Sequence, residues 1–298
     1  EVFVPLGFDA GLDAQGDWGE AAVILRGQQK VVQFFTLRLC YSRRSFVMAF
    51  LTQQQEALFT GHRSAFEFFG GVPHRITYDN PKTLVQKILR GRSRREQEAF
   101  VAFRSHYLFE SLFCQPGKAH EKGQVEGAIG YVRRNFLVPL PEVDSLEELN
   151  AYLLEKCLEE DRRQVYGQTK SIGEAFEEER AKLLPLPQRP YDCCRIVPAQ
   201  ANHLQMVCFE TNRYSVPTEF AYQRLLIKAY VDRLEIVHRE QVVATHPRCY
   251  ERQREILDPL HYLPLLLKKP GALEQARPIR AWKWPPVFGQ FWEALKQR

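Results

Sequence analysis

The 298-residue sequence lacks long hydrophobic runs and internal repeats. Its apolar runs, such as residues 263–267, are far shorter than the roughly 20 residues that a membrane-spanning helix needs, so we expect no membrane insertion. Hydrophobic residues make up 45% and charged residues 26% of the chain, which is typical of an ordinary globular protein. A chain of this length predicts two domains and an appendage.

Cysteine pairs and metal-binding cysteine motifs are also missing. The seven cysteines are scattered and odd in number, and neither a C-x-x-C nor an H-E-x-x-H motif occurs. These absences argue against a disulfide framework and against a structural zinc site. The cysteine content therefore predicts a reducing, intracellular compartment.

The net charge of +5 is small, but its distribution along the chain is uneven. Residues 1–140 hold 18 Lys and Arg against 13 Asp and Glu, residues 141–190 hold 7 against 12, and residues 191–298 hold 16 against 11. Two basic blocks thus flank an acidic one. This arrangement indicates a polyanionic partner for the basic blocks and a solvated connector between them.

Apolar patterning divides the chain into an α/β block, a helical block, a β block and a tail. In the helical block, Ser145 with Glu148 and Ser171 with Glu174 form capping-box patterns that begin two helices. Five closely spaced strand patterns follow the proline-rich residues 185–190 and predict a small β-barrel. We therefore predict an α/β domain over 1–140, a helical connector over 141–190, the barrel over 191–250 and a C-terminal arm over 251–298.

Three acidic residues are the main candidates for chemistry. Asp17 and Asp79 fall at the ends of short apolar stretches typical of strands, and Glu126 lies in a helical pattern, where Glu121 competes with it. One such carboxylate alone would more often be a turn former, a cap or a solvated group. Together, two Asp and one Glu suit a pair of Mg²⁺ ions, which catalyse attack on a phosphodiester. The three residues predict a metal-dependent phosphoryl-transfer site.

Basic residues near these acids are candidates for phosphate contacts. Lys122 and Arg133 share a helical face with Glu126, although ion pairing with that glutamate would also explain them. Residues 90–95 read as a basic loop that either grips phosphate or is merely solvated. The candidate DNA-binding residues of this kind are Lys82, Arg92, Arg94, Arg95, Lys118, His120, Lys122, Arg133 and Arg134.

Four segments resemble one known family, the DDE transposases of the IstA type within the retroviral-integrase superfamily. They are QGDWGE at 15–20, GGVPHRITYDNPKT at 70–83, HEKGQVEGAIGYVRRNF at 120–136 and, at the start of the β block, NRYSVP at 212–217. The resemblance implies an RNase H-like mixed sheet with flanking helices. It also implies Asp17, Asp79 and Glu126 as metal ligands, Asn80 beside the site and Arg133 near transposon-end DNA. The family's N-terminal helix-turn-helix modules are not found in this sequence.

The predicted function is that of a transposase that uses two Mg²⁺ ions, replaceable by Mn²⁺, to cleave transposon ends and to transfer the strands into target DNA. By resemblance, its partners are transposon-end and target DNA, further copies of itself in a dimer or larger synaptic complex, and an IstB-like AAA+ ATPase. The resemblance further implies a cytoplasmic, nucleoid-associated bacterial protein. Two alternatives stay open: an RNase H-like nuclease or resolvase that only hydrolyses, and a non-catalytic DNA-binding scaffold.

Overall fold

The computed structural model describes residues 7–78, 84–88, 94–114, 123–269, 271 and 275–280, with side chains except at 85–88, 94–95 and 123–126. The chain forms two compact units, Glu1–Cys193 and Cys194–Arg298. The finer boundaries at residues 140, 190 and 250 stay predictions. Among the described residues, no helix is both long and apolar enough to cross a membrane.

A mixed sheet forms the centre of the first unit, with strands in the order β3-β2-β1-β4-β7 and β8 beside β1. β1, β2 and β3 form an antiparallel meander, whereas β4 and β7 run parallel to β1. A separate hairpin joins β5 to β6. The strands are β1 (Asp13–Leu25), β2 (Gln28–Leu39), β3 (Ser45–Phe50), β4 (Arg75–Tyr78), β5 (Val85–Ile88), β6 (Arg94–Glu96), β7 (Glu110–Phe113) and β8 (Glu142–Val143).

Helices cover both faces of this sheet. On one face, His62 of the first helix contacts Phe35 of β2; on the other, Val132 of the third helix and Leu149 of the fourth pack with Phe34 of β2. Neighbouring residues of a strand point to opposite faces, so Phe34 and Phe35 mark the two layers. The helices are α1 (Gln55–Phe69), α2 (Glu98–Tyr107), α3 (Gly123–Asn135), α4 (Leu146–Glu159) and α5 (Ile172–Arg180).

Both predicted capping residues begin a helix. Ser171 accepts the backbone N–H of Glu174 and the Glu174 carboxylate accepts the N–H of Ser171, which completes a capping box at α5. At α4, Ser145 accepts the N–H of Glu148, but the Glu148 carboxylate binds the N–H of Asp144 instead. Both helix starts are thus confirmed.

The prediction that Asp17 ends a strand is wrong, because β1 runs through it from Asp13 to Leu25. Glycines at 16 and 19 interrupt the apolar pattern, since glycine is a poor strand former. Their role is to make room for rings: a Cβ at Gly19 would collide with Phe34, and one at Gly16 would lie 3.0 Å from the ring of Tyr78. Tertiary packing overrides local propensity here.

The basic stretch also differs from its prediction at one end. Arg94 and Arg95, predicted in a loop, lie in β6, which pairs antiparallel with β5. The backbone bonds of this hairpin, rather than an apolar alternation, define the strand. Such a short polar strand leaves no periodic signal in the sequence.

The second unit contains two small sheets, with strand orders β14-β13-β12-β9 and β10-β11-β15. Val207, Tyr214, Ile227 and Ile236 contribute to a single apolar core. The predicted α/β fold class, a mixed sheet with flanking helices, is confirmed, and the strands predicted as a small β-barrel form these two sheets in the described part of the second unit. The elements are β9 (Arg195–Gln200), β10 (Met206–Phe209), β11 (Asn212–Ser215), β12 (Arg224–Ala229), β13 (Arg233–His238), β14 (Gln241–Pro247), β15 (Glu255–Ile256), α6 (Leu263–Lys268) and α7 (Arg277–Arg280).

Candidate active site

Asp17 lies on the central strand of the first unit, half-buried and paired across to Thr36 of β2. Its Oδ1 accepts the backbone N–H of Trp18 at 2.9 Å. Alternation along β1 places Asp17 on the same face as Val23, which packs with Val132 of α3. The Asp17 carboxylate therefore lies on the sheet face that α3 covers.

β4, the strand parallel to β1, ends one residue before the second candidate, Asp79. β4 runs parallel to β1 from Asp13 opposite Arg75 to Gly16 opposite Tyr78. Each of these last paired residues immediately precedes a candidate aspartate, Asp17 on β1 and Asp79 after β4. Asp79 itself lies outside the described residues.

The third candidate, Glu126, belongs to α3, but its side chain lies outside the described part. α3 is fixed against β1 near this end of the sheet: the Arg133 Nε–H donates to the backbone carbonyl of Glu20 at 2.8 Å. Arg133 and Arg134 are both exposed in the last turn of the helix. The structure thus places Arg133 at the margin of the α3–β1 contact, and Arg134 is the next residue of the helix.

The other predicted DNA contacts are not positioned by the structure. For Arg94 and Arg95 only the backbone of β6 is described. The predicted DNA contacts that lie outside the described ranges are Asn80, Lys82, Arg92, Lys118, His120 and Lys122.

A carboxylate like that of Asp17 suits a hard divalent cation, because Mg²⁺ prefers oxygen ligands. Within the described part of the chain, no cluster of three or more His, Cys, Asp or Glu side chains could hold a metal ion. Asp79 and the side chain of Glu126 fall outside that part. The donor set of two aspartates and one glutamate nevertheless fits Mg²⁺ in chemical type.

One polar residue behind the site was not predicted. His62 of α1 is fully buried, with Nδ1 2.8 Å from the carbonyl oxygen of Leu58 and Nε2 2.8 Å from the hydroxyl of Tyr78. Burial lowers the pKa of His62 to about 4, so the ring is neutral near pH 7. The sequence did carry a signal, since position 62 lies on the same helical stripe as Leu58 and Phe66.

The second unit contains a Ser–His–Asp cluster that resembles a hydrolase triad. Ser215 Oγ lies 2.8 Å from His261 Nδ1, and His261 Nε2 lies 3.7 Å from an Asp258 carboxylate oxygen. Ser215 is completely buried, however, and its Oγ accepts the backbone N–H of Asp258 at 2.8 Å. A substrate cannot reach this hydroxyl, so the cluster fastens the segment after β15 to β11.

Residues 186–258 match the protein family described as "Mu transposase, C-terminal domain". Over 96% of its length the chain is 38% identical to a transposase of Aminobacter aminovorans, and over 99% it is 36% identical to the transposase for insertion sequences IS1326/IS1353 of Pseudomonas aeruginosa. These alignments cover 57% and 59% of the two relatives, so the chain spans about three fifths of their length.

A third relative is the transposase for insertion sequence element IS21 of Pseudomonas aeruginosa, 30% identical over 84% of this chain and 65% of that protein. Among solved structures, the chain resembles the catalytic core domain of HTLV-2 integrase in complex with magnesium. That similarity has a TM-score of 0.39 at 15% identity and covers 57% of this chain and 99% of the other.

Proposed function

We propose that this chain, a homologue of the transposases of IS21 and IS1326, is the catalytic part of a transposase that cuts DNA at transposon ends and joins them to target DNA. The observation that carries the proposal is the parallel pairing of β1 with β4, which ends with Gly16 beside Tyr78. Asp17 and Asp79 are the residues that follow Gly16 and Tyr78 in the sequence. α3, which includes Glu126, packs on the sheet face that bears Asp17.

In the proposed reaction, the oxygen of a water molecule attacks the phosphodiester at the transposon end, and the bond to the 3′ oxygen breaks. The freed 3′-hydroxyl then attacks a phosphodiester of the target, whose own 3′ oxygen leaves as the new bond forms. Neither step requires a covalent bond to the protein. The number of phosphodiester bonds is conserved in the second step, so the joining reaction needs no external energy source.

Asp17, Asp79 and Glu126 would hold two Mg²⁺ ions, for which Mn²⁺ could substitute. When bound, the ions would neutralise phosphate charge and activate the attacking oxygen. Asp17 would contribute its carboxylate from β1, a strand that pairs with β2 on one side and with β4 on the other. Such support keeps a ligand in place without reorganisation when the substrate arrives.

DNA would lie across the cations and polar groups around these acids. The proposed contacts are Asn80, Lys82, Arg92, Arg94, Arg95, Lys118, His120, Lys122, Arg133 and Arg134. The exposure of Arg133 and Arg134 at the end of α3 supports this assignment. Contacts of this kind release counterions from the phosphate backbone, so binding would weaken steeply as the salt concentration rises.

The proposed partners follow from the same reaction. Two transposon ends must be joined to one target, which calls for a dimer or a larger synaptic complex. Homology to the IS21 transposase supports an IstB-like ATPase as a second partner. We propose a cytoplasmic location at the nucleoid, where both the DNA and these partners would be found.

The test is strand transfer with labelled transposon-end DNA, target DNA and Mg²⁺ or Mn²⁺. Asp17→Asn keeps the shape of the side chain but removes its charge, so we expect joining to be abolished while the fold is retained. Asp79→Asn and Glu126→Gln should behave alike. Thermal unfolding would verify that each variant is folded.

Glu20→Gln is the matched control, because Glu20 is an exposed acid on the same strand, bound through its side chain to Gln33. It should join DNA at the parental rate. Normal joining by Asp17→Asn would refute the proposed site. If the parental protein gives cut ends without covalently joined products, it is a nuclease or resolvase. If the parental protein gives neither product, the non-catalytic scaffold is favoured.

A further inference from the structure

A buried hydrogen-bonded chain connects α1 to the end of β4. It runs from the carbonyl oxygen of Leu58 through the imidazole of His62 to the hydroxyl of Tyr78, with both contacts at 2.8 Å. His62 has no exposed surface, and Tyr78 exposes only 2% of its own. Tyr78 is the last residue of β4 and precedes Asp79 in the sequence.

The direction of both hydrogen bonds follows from their partners. A carbonyl oxygen can only accept, so Nδ1 of His62 carries the proton and donates it to Leu58. In the neutral ring Nε2 is then an acceptor, and the Tyr78 hydroxyl must donate to it. The hydrogen bonds from Leu58 through His62 to Tyr78 therefore have a single arrangement of donors and acceptors.

Aromatic rings surround the hydrogen bond between His62 and Tyr78, and packing alone does not require polar atoms there. The His62 ring lies 4.6 Å from Phe35, 5.8 Å from Phe103 and 6.4 Å from Phe109 between ring centroids. Two apolar rings of the same shape would fill the space with little loss of stability. What the hydrogen bond adds is direction, because it fixes where the Tyr78 ring can lie.

The Tyr78 ring also contacts the strand that carries Asp17. Gly16 has no Cβ, and an atom at that position would approach the ring to 3.0 Å. The ring is thus seated over Gly16 at one edge and held by His62 at its hydroxyl. Gly16 and Tyr78, which are also opposite each other in the strand register, immediately precede Asp17 and Asp79.

We infer that His62 and Tyr78 are a pair of positioning residues that fix the end of β4, directly before Asp79 in the sequence, against the strand that carries Asp17. The inference rests on the proposed function, in which both aspartates hold the divalent ions. Neither side chain of the pair acts on the DNA in this scheme. Groups that support metal ligands from behind typically change metal affinity by about 10- to 100-fold when removed.

The experiment is calorimetric titration of the whole chain with Mn²⁺ alone, accompanied by thermal unfolding. Tyr78→Phe removes the hydroxyl but keeps the ring, and we expect Mn²⁺ binding to weaken on the order of 10-fold. The double variant His62→Phe/Tyr78→Phe leaves neither polar partner unpaired, so it carries the test if Tyr78→Phe does not fold. In its folded state, verified by thermal unfolding, the double variant should also bind Mn²⁺ more weakly than the parent.

Tyr107→Phe is the matched control. Tyr107 belongs to the same aromatic cluster, is 3% exposed, and its hydroxyl accepts the N–H of Tyr191 at 3.3 Å, away from β4. It should lower the unfolding temperature slightly and leave Mn²⁺ affinity unchanged. Parental Mn²⁺ affinity in the Tyr78 variants, or an equal loss in Tyr107→Phe, would overturn the inference.

Asp17→Asn in the same titration separates the two proposals. If it abolishes Mn²⁺ binding while Tyr78→Phe and the double variant bind like the parent, only the positioning role fails. If Asp17→Asn binds Mn²⁺ like the parent, the metal site itself is refuted, and the positioning role is refuted with it.

Discussion

At the scale of single residues, His62 gives the chain a defined response to acid. Its pKa is about 4 in the folded protein, against an ordinary value of 6.5, because burial disfavours the charged ring. Between these two values the unfolded chain binds a proton that the folded chain does not, so stability falls as the pH decreases from about 6.5 to about 4. The difference amounts to about 3 kcal/mol. Denaturant unfolding at a series of pH values measures it.

His62→Gln removes this titration, so the free energy of unfolding should depend less on pH in the variant than in the parent. Above pH 7 the gap between the two proteins should be constant. Identical slopes for His62→Gln and the parent would show that His62 does not remain neutral in the folded state.

Asp17 could be proposed only in combination with Asp79 and Glu126, because a single carboxylate is more often a turn former, a cap or a solvated group. Its position in the middle of β1 was not predictable, since the reason lies in Phe34 and Tyr78, which occupy the space over Gly19 and Gly16. His62 was missed although it shares the apolar stripe of α1. Its partner, Tyr78, is 16 residues away and becomes a neighbour only through the packing of α1 on the sheet.

At the scale of elements, α5 is fastened to the sheet by one buried acid. Glu179 has no exposed surface, and its two carboxylate oxygens accept the backbone N–H groups of Gly11 at 3.2 Å and Ser42 at 3.0 Å. Gly11 precedes β1, and Ser42 follows β2. In Glu179→Gln one oxygen becomes an amide nitrogen that faces another donor. We expect a loss of about 1–3 kcal/mol in the free energy of unfolding, measured with denaturant.

Glu178→Gln is the control for that substitution, since Glu178 is the preceding residue and its contacts with Lys170 and Tyr41 are exposed. Exposed ion pairs contribute little, so its cost should stay within about 1 kcal/mol. Equal losses in the two variants would show that the buried carboxylate does not fasten α5. Sequence reasoning located the start of α5 from its capping box, but could not show which of its acids turns inward.

Elements with strong local signals were thus predicted well, and those defined by their neighbours were not. Capping boxes act within one turn, so Ser145 and Ser171 could be identified from the sequence. β6 and β9 consist of residues whose alternation is weak, and they exist because β5 and β12 pair with them. Where backbone pairing supplies the stability, local patterns carry little information.

At the scale of the whole molecule, each compact unit has its own apolar core. Leu149 is fully buried with Val23 and Phe34 in the first unit, and Ile227 is fully buried with Tyr214 and Leu234 in the second. Truncating a buried leucine or isoleucine to alanine typically costs about 2–5 kcal/mol. We predict two unfolding transitions by scanning calorimetry, with Leu149→Ala lowering one transition temperature and Ile227→Ala lowering the other.

The same pair of variants connects stability to the proposed site. Asp17 lies on the sheet that Leu149 helps to cover, so Leu149→Ala should lose Mn²⁺ binding together with the transition that it lowers. Ile227→Ala should retain Mn²⁺ binding at temperatures where its own unit has already unfolded. A single transition that both variants shift equally would mean that the two cores unfold as one cooperative structure. Loss of Mn²⁺ binding in folded Ile227→Ala would place a determinant of the metal site in the second unit.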